Sequence, residues 1–341
     1  MNSDREAEAR TIDARLHAVR GLVSRFVVSE VRLFRLSGVD ARVQGPFDGD
    51  TAIAIGNFDG VHLGHQHVVR ELAQLAQRAF PTPLNPSVLT FDPHPAAVVG
   101  AGAPPLLSTV EDRSRWLGVA GARDVFVQRF DPSFAALSPG TFVDQLVIPL
   151  GAKAIMVGEN FHFGAGRAGD VEQLASLGKA RGFSVHVHSL AADAEGPFSS
   201  TRVRQALARG DVAAAARVLG RRHVFSGVVV EGQKLGRQLG FPTANVANIA
   251  QMLPLGGVYA AVVHGIGNGV LNIGYRPTVS GERRLSVEVH ILDYSGDLYG
   301  QTLRVELVGR LRDEQRFASV DDLVGQIGRD IVCARGSFEV H

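Results

Sequence analysis

The pattern of hydrophobic and polar positions changes about two thirds of the way along the chain. Before residue 209, apolar runs that lack polar alternation recur between stretches with helical spacing, which is typical of strands buried on both faces of a parallel sheet. These runs cover residues 52–55, 87–91, 124–127, 154–158 and 184–188. Because strand, crossover and strand recur, the pattern predicts an α/β doubly wound parallel sheet.

From Val224 onward the apolar runs become short, alternate with polar residues and are punctuated by glycine. Such runs cover residues 225–230, 257–263, 269–273, 285–292 and 301–307, and a helical pattern follows at 321–333. Strands at this spacing without intervening helices favour a small antiparallel β-barrel, here with a C-terminal helix. We therefore divide the chain into an N-terminal extension (1–30, a short amphipathic helix), a first domain (31–208), a linker (209–222, with a helical pattern at 211–219) and a second domain (223–341).

The first predicted strand ends in a glycine-spaced turn that contains Gly56, Gly60 and Gly64, and a helical pattern follows. The first N–H groups of a helix have no intrahelical partner, and this end of the helix dipole is positive, so the turn suits an anion. His62 and His65 lie where strand becomes helix and can both face a phosphate chain. One alternative is a glycine-rich βα turn with incidental histidines. The other is a histidine metal site, but no cysteine or carboxylate cluster lies nearby in the sequence.

A second candidate anion site begins at Ser199, where hydroxyl residues precede a helical pattern. Ser199, Ser200 and Thr201 are good N-cap types, so a simple capped helix is one interpretation. Arg202 and Arg204 favour the other interpretation, because guanidinium groups beside a helix start suit a triphosphate whose pyrophosphate leaves.

The stretch 159–170 alternates aromatic and polar residues and closes in glycines. This pattern suits a wall that stacks on a planar ring and leaves backbone room for phosphate. Asn160, Phe161 and Phe163 are the candidate ring contacts.

In the second half, a glycine-spaced loop contains Lys234, Gly236, Arg237, Gly240 and Pro242. A flexible loop with these cations can lie over phosphates, although it matches no Walker pattern. After it, Thr243 and Asn245 offer two neutral oxygen ligands on one side of an extended segment, a donor type that Mg²⁺ prefers. An ordinary loop is the alternative interpretation.

Glu288 lies on a predicted strand where Val287, Val289 and Ile291 share one face. The opposite face carries Glu288 and His290, and a solvated strand face is the simpler explanation for an acidic residue.

Composition narrows the class of protein. The 341 residues contain 35 Lys and Arg against 34 Asp and Glu, a net charge of +1 that argues against a general binder of nucleic acid or membrane surfaces. The single cysteine, Cys333, excludes an intramolecular disulfide and fits a reducing cytoplasm. No stretch reaches transmembrane length, so we expect a cytoplasmic protein. A homo-oligomer remains an open possibility.

The string Gly-Asn-Phe-Asp-Gly-Val-His-Leu-Gly-His-Gln at 56–66 resembles the adenylyltransferase motif of bacterial bifunctional riboflavin kinase/FAD synthetases, within the H-x-G-H nucleotidyltransferases. Phe-Ser-Ser-Thr-Arg-Val-Arg at 198–204 resembles the family's second nucleotide motif. Gly-Arg at 236–237 with Phe-Pro-Thr-Ala-Asn at 241–245 resembles its kinase motif. The resemblance spans residues 31–331 and implies a Rossmann-like first domain.

The resemblance implies that the second domain makes flavin mononucleotide (FMN) from riboflavin and ATP, and that the first makes FAD and pyrophosphate from FMN and ATP. It implies Mg²⁺, a catalytic carboxylate at Glu288, and a catalytic role for His62 and His65. The implied adenylyltransferase nucleotide contacts are Gly56, Asn57, Phe58, Asp59, Gly64, Ser199, Ser200, Thr201, Arg202 and Arg204.

The flavin segment departs from the family's commoner Asp-Phe-Arg-Phe-Gly at Asn160 and His162. If the family's arginine contacts phosphate, Arg167 is the residue that takes that role here. Two rival functions remain open at this point. One is an adenylyltransferase for another phosphorylated substrate, such as a pantetheine phosphate. The other is a non-catalytic flavin-binding regulatory protein.

Overall fold

The computed structural model describes residues 31–36, 49–79, 81–100, 102–189, 191–232, 235–277 and 283–339. The helix predicted within residues 1–30 lies outside the described residues, and so does Lys234. No helix in the described ranges combines the length and apolar character needed to cross a membrane.

The first half is a six-stranded parallel sheet with the strand order β1-β4-β3-β2-β5-β6. Its strands are β1 (Arg32–Leu36), β2 (Thr51–Ile55), β3 (Asn85–Asp92), β4 (Asp124–Arg129), β5 (Ala152–Gly158) and β6 (Ser184–His188). Strand β2 lies between β3 and β5 and is buried throughout, as its continuous apolar run predicts. Two apolar clusters cover the two faces of the sheet and confirm the doubly wound architecture.

Helices connect these strands. They are α1 (Leu63–Arg78), α2 (Val110–Ala120), α3 (Pro132–Ala135), α4 (Pro139–Phe142), α5 (Val171–Arg181), α6 (Ser200–Ala208) and α7 (Val212–Leu219). A π-helical turn, Val143–Val147, continues α4, and 3₁₀ turns cover Pro95–Ala97 and Ala165–Arg167. A two-stranded hairpin, β7 (Ala192–Asp193) and β8 (Gly196–Pro197), precedes α6.

The second half is a closed antiparallel barrel with the strand order β10-β13-β12-β11-β14-β9. Its strands are β9 (Val224–Val230), β10 (Ala244–Ala247), β11 (Gly257–Val263), β12 (Gly267–Pro277), β13 (Arg283–Ile291) and β14 (Thr302–Arg312). A short helix, α8 (Leu235–Gln238), precedes β10, and a long helix, α9 (Val320–Glu339), packs on the outer face of the barrel through Ala334 and Ile331. The predicted barrel with a C-terminal helix is confirmed.

The segment 209–222, predicted to be a linker with a helical pattern at 211–219, packs against both halves. It contains α7, whose Val212, Ala215 and Val218 lie in one apolar cluster with barrel residues such as Phe225. The same cluster includes Leu207 of α6, so the two halves share buried apolar surface. The helical periodicity of 211–219 was evident in the sequence, but its partner was not, because a helix pattern does not identify the surface against which its apolar face packs.

Next to this junction, His223 is buried, and its Nε2 donates a hydrogen bond to the Met252 carbonyl at 2.8 Å. Burial, which disfavours the charged ring, lowers the pKa of His223 from 6.5 to about 4. The unfolded chain therefore takes up a proton on this ring below about pH 6.5, whereas the folded chain does so only near pH 4. The free energy of unfolding must fall as the pH falls through that window.

We expect His223→Gln, which keeps a hydrogen-bond donor but does not titrate, to reduce this pH dependence. Between pH 7 and pH 5 the variant should lose about 2 kcal/mol less of its unfolding free energy than the wild-type chain loses. Urea unfolding at the two pH values measures both losses. Equal losses in the two proteins would show that His223 is not the group responsible.

Candidate functional site

The turn after β2 is held in an uncommon backbone conformation. Phe58 and Val61 have positive φ values of 50° and 42°, which are rare for residues with a Cβ, and the valine is β-branched. His62 caps α1, and its Nδ1 accepts a hydrogen bond from the N–H of His65 at 3.3 Å. Non-glycine residues persist in such conformations only where their surroundings hold them, and they cluster at functional sites.

His62 and His65 form a stacked pair whose ring centroids lie 3.6 Å apart with an interplanar angle of 22°. The Phe58 ring lies against His65 at 5.0 Å between centroids. Burial, followed by the charge of Arg221, lowers the pKa of His62 to about 4. Burial also lowers the pKa of His65 well below its usual value, with smaller effects from neighbouring cations. Both rings are therefore neutral at pH 7 in the free protein, and each has one nitrogen that can accept a hydrogen bond.

Asp59 holds this turn against two other segments. Its buried carboxylate accepts hydrogen bonds from the Leu107 N–H and from the N–H and hydroxyl of Ser108, and it pairs with Arg204. The Ser200 hydroxyl also donates to the Asp59 carbonyl. Asp59 and Arg204, both predicted to contact nucleotide, thus bind each other and join the two predicted anion sites.

The N-terminus of α6 lies beside that of α1. A Cβ at Gly64 would lie 3.1 Å from the His62 ring and 3.4 Å from the Cβ of Phe198, just before α6. Ser199 is the N-cap of α6 and accepts from the Arg202 N–H, as its residue type predicts. The structure therefore brings the two predicted helix starts together at one site.

The two remaining residues of this motif are Arg202 and Thr201. The Arg202 guanidinium binds Asp193 and Glu195 of the hairpin and the Gly196 carbonyl, so in this structure hairpin groups occupy it. Thr201 is exposed.

A cavity of about 710 Å³ runs from this turn along the carboxyl ends of the strands. Gly56, Asn57 and His94 line the end nearest the turn, and the Asn57 Nδ2 lies 3.3 Å from the His94 Nε2. The rest of its wall is largely aromatic and contains Phe91, Phe130, Phe134, Phe142, Phe161 and Phe163. Ligands of open α/β sheets bind outside the carboxyl ends of strands, and an apolar cavity of this size suits a planar ring system.

The predicted flavin-contacting residues all line this cavity. Phe161 and Phe163 stack with centroids 5.5 Å apart, while Asn160 lies at the exposed rim. The Nδ1 of His162 lies 3.0 Å from the Asn160 carbonyl and 3.3 Å from the Nη2 of Arg167, so these residues lie together at the same rim.

Two cavities of the barrel, of about 350 and 320 Å³, are lined by predicted kinase residues. The first is lined by Arg237 and Pro242, and the second by Gly236 and Glu288. Thr243 lines both cavities and so forms part of the wall between them. Gly240, also predicted in this loop, has a φ of 85°, a conformation that favours glycine.

Glu288 lies on the outer face of β13, while Val287 and Val289 point into the barrel core, as the alternation predicts. Its Oε2 accepts from the Thr243 hydroxyl at 3.3 Å, and its Oε1 accepts from the Ser286 hydroxyl at 2.9 Å. In the strand register, Asn245 of β10 lies directly opposite Glu288. The three predicted chemical residues of this half therefore lie together.

Two residues that sequence reasoning did not assign support these sites. His290 donates from Nδ1 to the Pro242 carbonyl at 2.8 Å and thereby fixes the segment that presents Thr243. Arg113 is buried behind the first turn, where it donates to the Thr90 hydroxyl and the Phe91 carbonyl at 3.0 and 3.1 Å. The period-2 pattern identified His290 as a neighbour of Glu288, but a single arginine in a helical pattern gave no signal for Arg113.

Comparisons with known proteins agree with this arrangement. The family model described as FAD synthetase matches residues 45–202, and the model described as riboflavin kinase matches residues 219–338. The bifunctional riboflavin kinase/FMN adenylyltransferase of Escherichia coli K12 is 41% identical over 89% of this chain and 97% of its own length. The protein of the same description from Bacillus subtilis is 36% identical over 82% and 90%, respectively.

A crystal structure described as a macrolide-efflux protein from Streptococcus pneumoniae superimposes with a TM-score of 0.79 at 29% identity, and covers 89% of this chain and 99% of the other. Two family models thus match the two halves in order, and curated relatives match over most of the chain. The chain belongs to the bifunctional riboflavin kinase/FMN adenylyltransferase family.

Proposed function

We propose how the two activities of this family are distributed along the chain and which residues carry each step. The barrel half (223–341) phosphorylates riboflavin with ATP to FMN. The sheet half (31–208) adenylylates FMN with ATP to FAD and pyrophosphate. Helix α7 packs between the two halves.

The observation that carries the kinase assignment is the shared wall at Thr243. ATP occupies the cavity lined by Arg237 and Pro242, and riboflavin occupies the cavity lined by Phe241 and Glu288. Transfer of a phosphoryl group needs donor and acceptor on either side of one short gap, with positioning as the main catalytic effect. Thr243 lies at that gap, and Glu288 is hydrogen-bonded to it.

Glu288 acts as the general base. Its carboxylate removes the proton from the ribityl 5′-hydroxyl as that oxygen attacks the γ-phosphorus of ATP, and ADP leaves. Ser286 and Thr243 each donate a hydrogen bond to the carboxylate and thereby fix its orientation. Lys234 and Arg237 are the proposed phosphate contacts of the preceding loop, with Gly236 and Gly240 allowing its close approach.

Thr243 and Asn245 would hold Mg²⁺ together with ATP oxygens. The donor set fits, since a hydroxyl and an amide oxygen near a carboxylate are hard ligands. The Asn245 side chain also packs so closely on Gly232 that a Cβ there would overlap it. When bound, the ion neutralises charge on the transferring phosphoryl group.

In the sheet half, the FMN ring lies in the aromatic cavity between Phe161 and the other phenylalanines, with Asn160 at its polar edge. The FMN phosphate attacks the α-phosphorus of ATP directly, and pyrophosphate leaves. Gly56, Asn57, Phe58 and Gly64 shape the nucleotide site, and the α1 and α6 N-termini with Ser199, Ser200 and Thr201 face the triphosphate.

His62 and His65 serve that site as hydrogen-bonding groups that gain charge when the polyphosphate arrives. A nearby anion favours the protonated imidazole and so opposes the lowered pKa of both rings in the free protein. We place the enzyme in the cytoplasm, because its single cysteine fits a reducing compartment.

We expect His65→Ala to lower the rate of FAD formation by about 10²–10³, because a contact made to the charge of the transition state is lost. FMN formation by the same preparation should be unchanged, and product chromatography measures both. His67→Ala is the matched control, because this histidine is exposed and pairs with Glu71 one turn along the helix. Unchanged FAD formation in the His65 variant would contradict the assigned role.

We expect Glu288→Gln to lower the kinase kcat by about 10²–10⁴, because the amide keeps the shape but cannot accept the proton. Riboflavin binding, the melting temperature and the conversion of supplied FMN to FAD should stay near wild type. Glu172→Gln makes the same chemical change at an exposed position of α5 and should alter neither activity. Normal FMN production by the Glu288 variant would refute the general base, and weak riboflavin binding would make Glu288 a substrate-positioning residue instead.

A further inference from the structure

Arg221 lies at the boundary between the two halves and reaches back to the first nucleotide turn. Its Nη1 donates to the Val61 carbonyl at 3.0 Å and to the Leu219 carbonyl at 3.2 Å, and its Nη2 donates to the Gly60 carbonyl. One guanidinium group thus holds two consecutive peptide carbonyls of the segment that leads into His62.

The setting of this guanidinium is unusual for a structural arginine. Its Cζ lies 3.4 Å from the centroid of the Trp116 ring, on α2, which stacks against its face. Its Nε is buried without a hydrogen-bond partner. Within the described part of the chain, Arg221 has no carboxylate at ion-pair distance, although the charge of Asp112, which is paired with Arg304, acts on it from nearby. The charge of Arg221 is therefore only partly compensated by a carboxylate, beneath the turn that we propose to face phosphates.

The backbone that Arg221 holds does not keep its conformation unaided. Val61 has a positive φ, which is strained for a β-branched residue. Gln66 also holds the Val61 carbonyl, because its Nε2 donates to this carbonyl at 3.0 Å and to the Leu219 carbonyl at 2.8 Å. Val61 directly precedes the N-cap His62, so the orientation of this peptide sets where the imidazole lies.

We propose that Arg221 is a positioning residue for FAD formation: its guanidinium fork fixes the Gly60 and Val61 carbonyls, and thereby His62, in the geometry that the adenylyl transfer needs. This inference rests on the proposed role of the turn. It also means that a residue from the start of the kinase family match, 219–338, completes the adenylyltransferase site.

The test compares Arg221→Lys and Arg221→Gln in the full-length chain. Lysine keeps the charge but can reach only one carbonyl at a time, and glutamine loses both the charge and the fork. We expect kcat for FAD formation to fall about tenfold to a hundredfold in the lysine variant and further in the glutamine variant, because small misplacements of catalytic groups have effects of this size. The KM for FMN should stay within about twofold of wild type in both variants, since the aromatic cavity is untouched.

FMN formation in the same samples serves as an internal control for folding. Arg222→Lys is the matched control, because this neighbouring arginine pairs with Glu306 of the barrel and should leave both activities unchanged. The positioning role is overturned if both Arg221 variants keep kcat for FAD formation within twofold of wild type. It is equally overturned if both activities fall together with the melting temperature, which is the behaviour of a purely structural residue. Failure of the wild-type chain to form FAD would refute the proposed function itself, which is a separate result.

Discussion

One buried carboxylate, that of Asp59, sets the geometry of the sheet half. It receives hydrogen bonds from the backbone at Leu107 and Ser108 and from the Ser108 hydroxyl, and it pairs with Arg204 of α6. A buried charge is tolerated only when such partners surround it, and removal of one partner of a buried pair typically destabilises a protein by about 3–5 kcal/mol. The contacts of Asp59 therefore fix the positions of the turn, the segment before α2 and helix α6 relative to one another. This constraint brings the histidine pair and the start of α6 to one edge of the sheet.

The inner and outer faces of the barrel have different roles. Its inner face is apolar and forms one cluster with residues of α6 and α7. This cluster joins the two halves. Its outer face carries Glu288 and Asn245 in register and supports α9 nearby. Because strand side chains alternate between faces, the same strands provide a core and a reactive surface without conflict. The proposed sites of the two reactions thus lie in separate cavities, although the halves share buried surface.

Local sequence patterns predicted much of this structure. The buried run at β2, the helix start at His62, the N-cap Ser199 and the alternation around Glu288 follow from rules that act over a few residues. What could not be predicted depends on contacts between distant residues. The Asp59–Arg204 pair spans 145 positions, and the Arg221 contact with Gly60 spans 161, and neither leaves a periodic trace. For the same reason α7 was predicted as a helix but placed in a linker, since its partner lies in the barrel.

The central claim is that one chain carries out two phosphorus chemistries, attack at the γ-phosphorus in the barrel and attack at the α-phosphorus in the sheet half. It is tested most directly by incubating the purified protein with riboflavin and ATP labelled with ³²P at either position, followed by separation of FMN and FAD. The account predicts that γ-labelled ATP labels FMN and the FMN phosphate of FAD, whereas α-labelled ATP labels only the adenylyl phosphate of FAD. Label from the α-position in FMN, or FAD that lacks the γ-derived label, would contradict it.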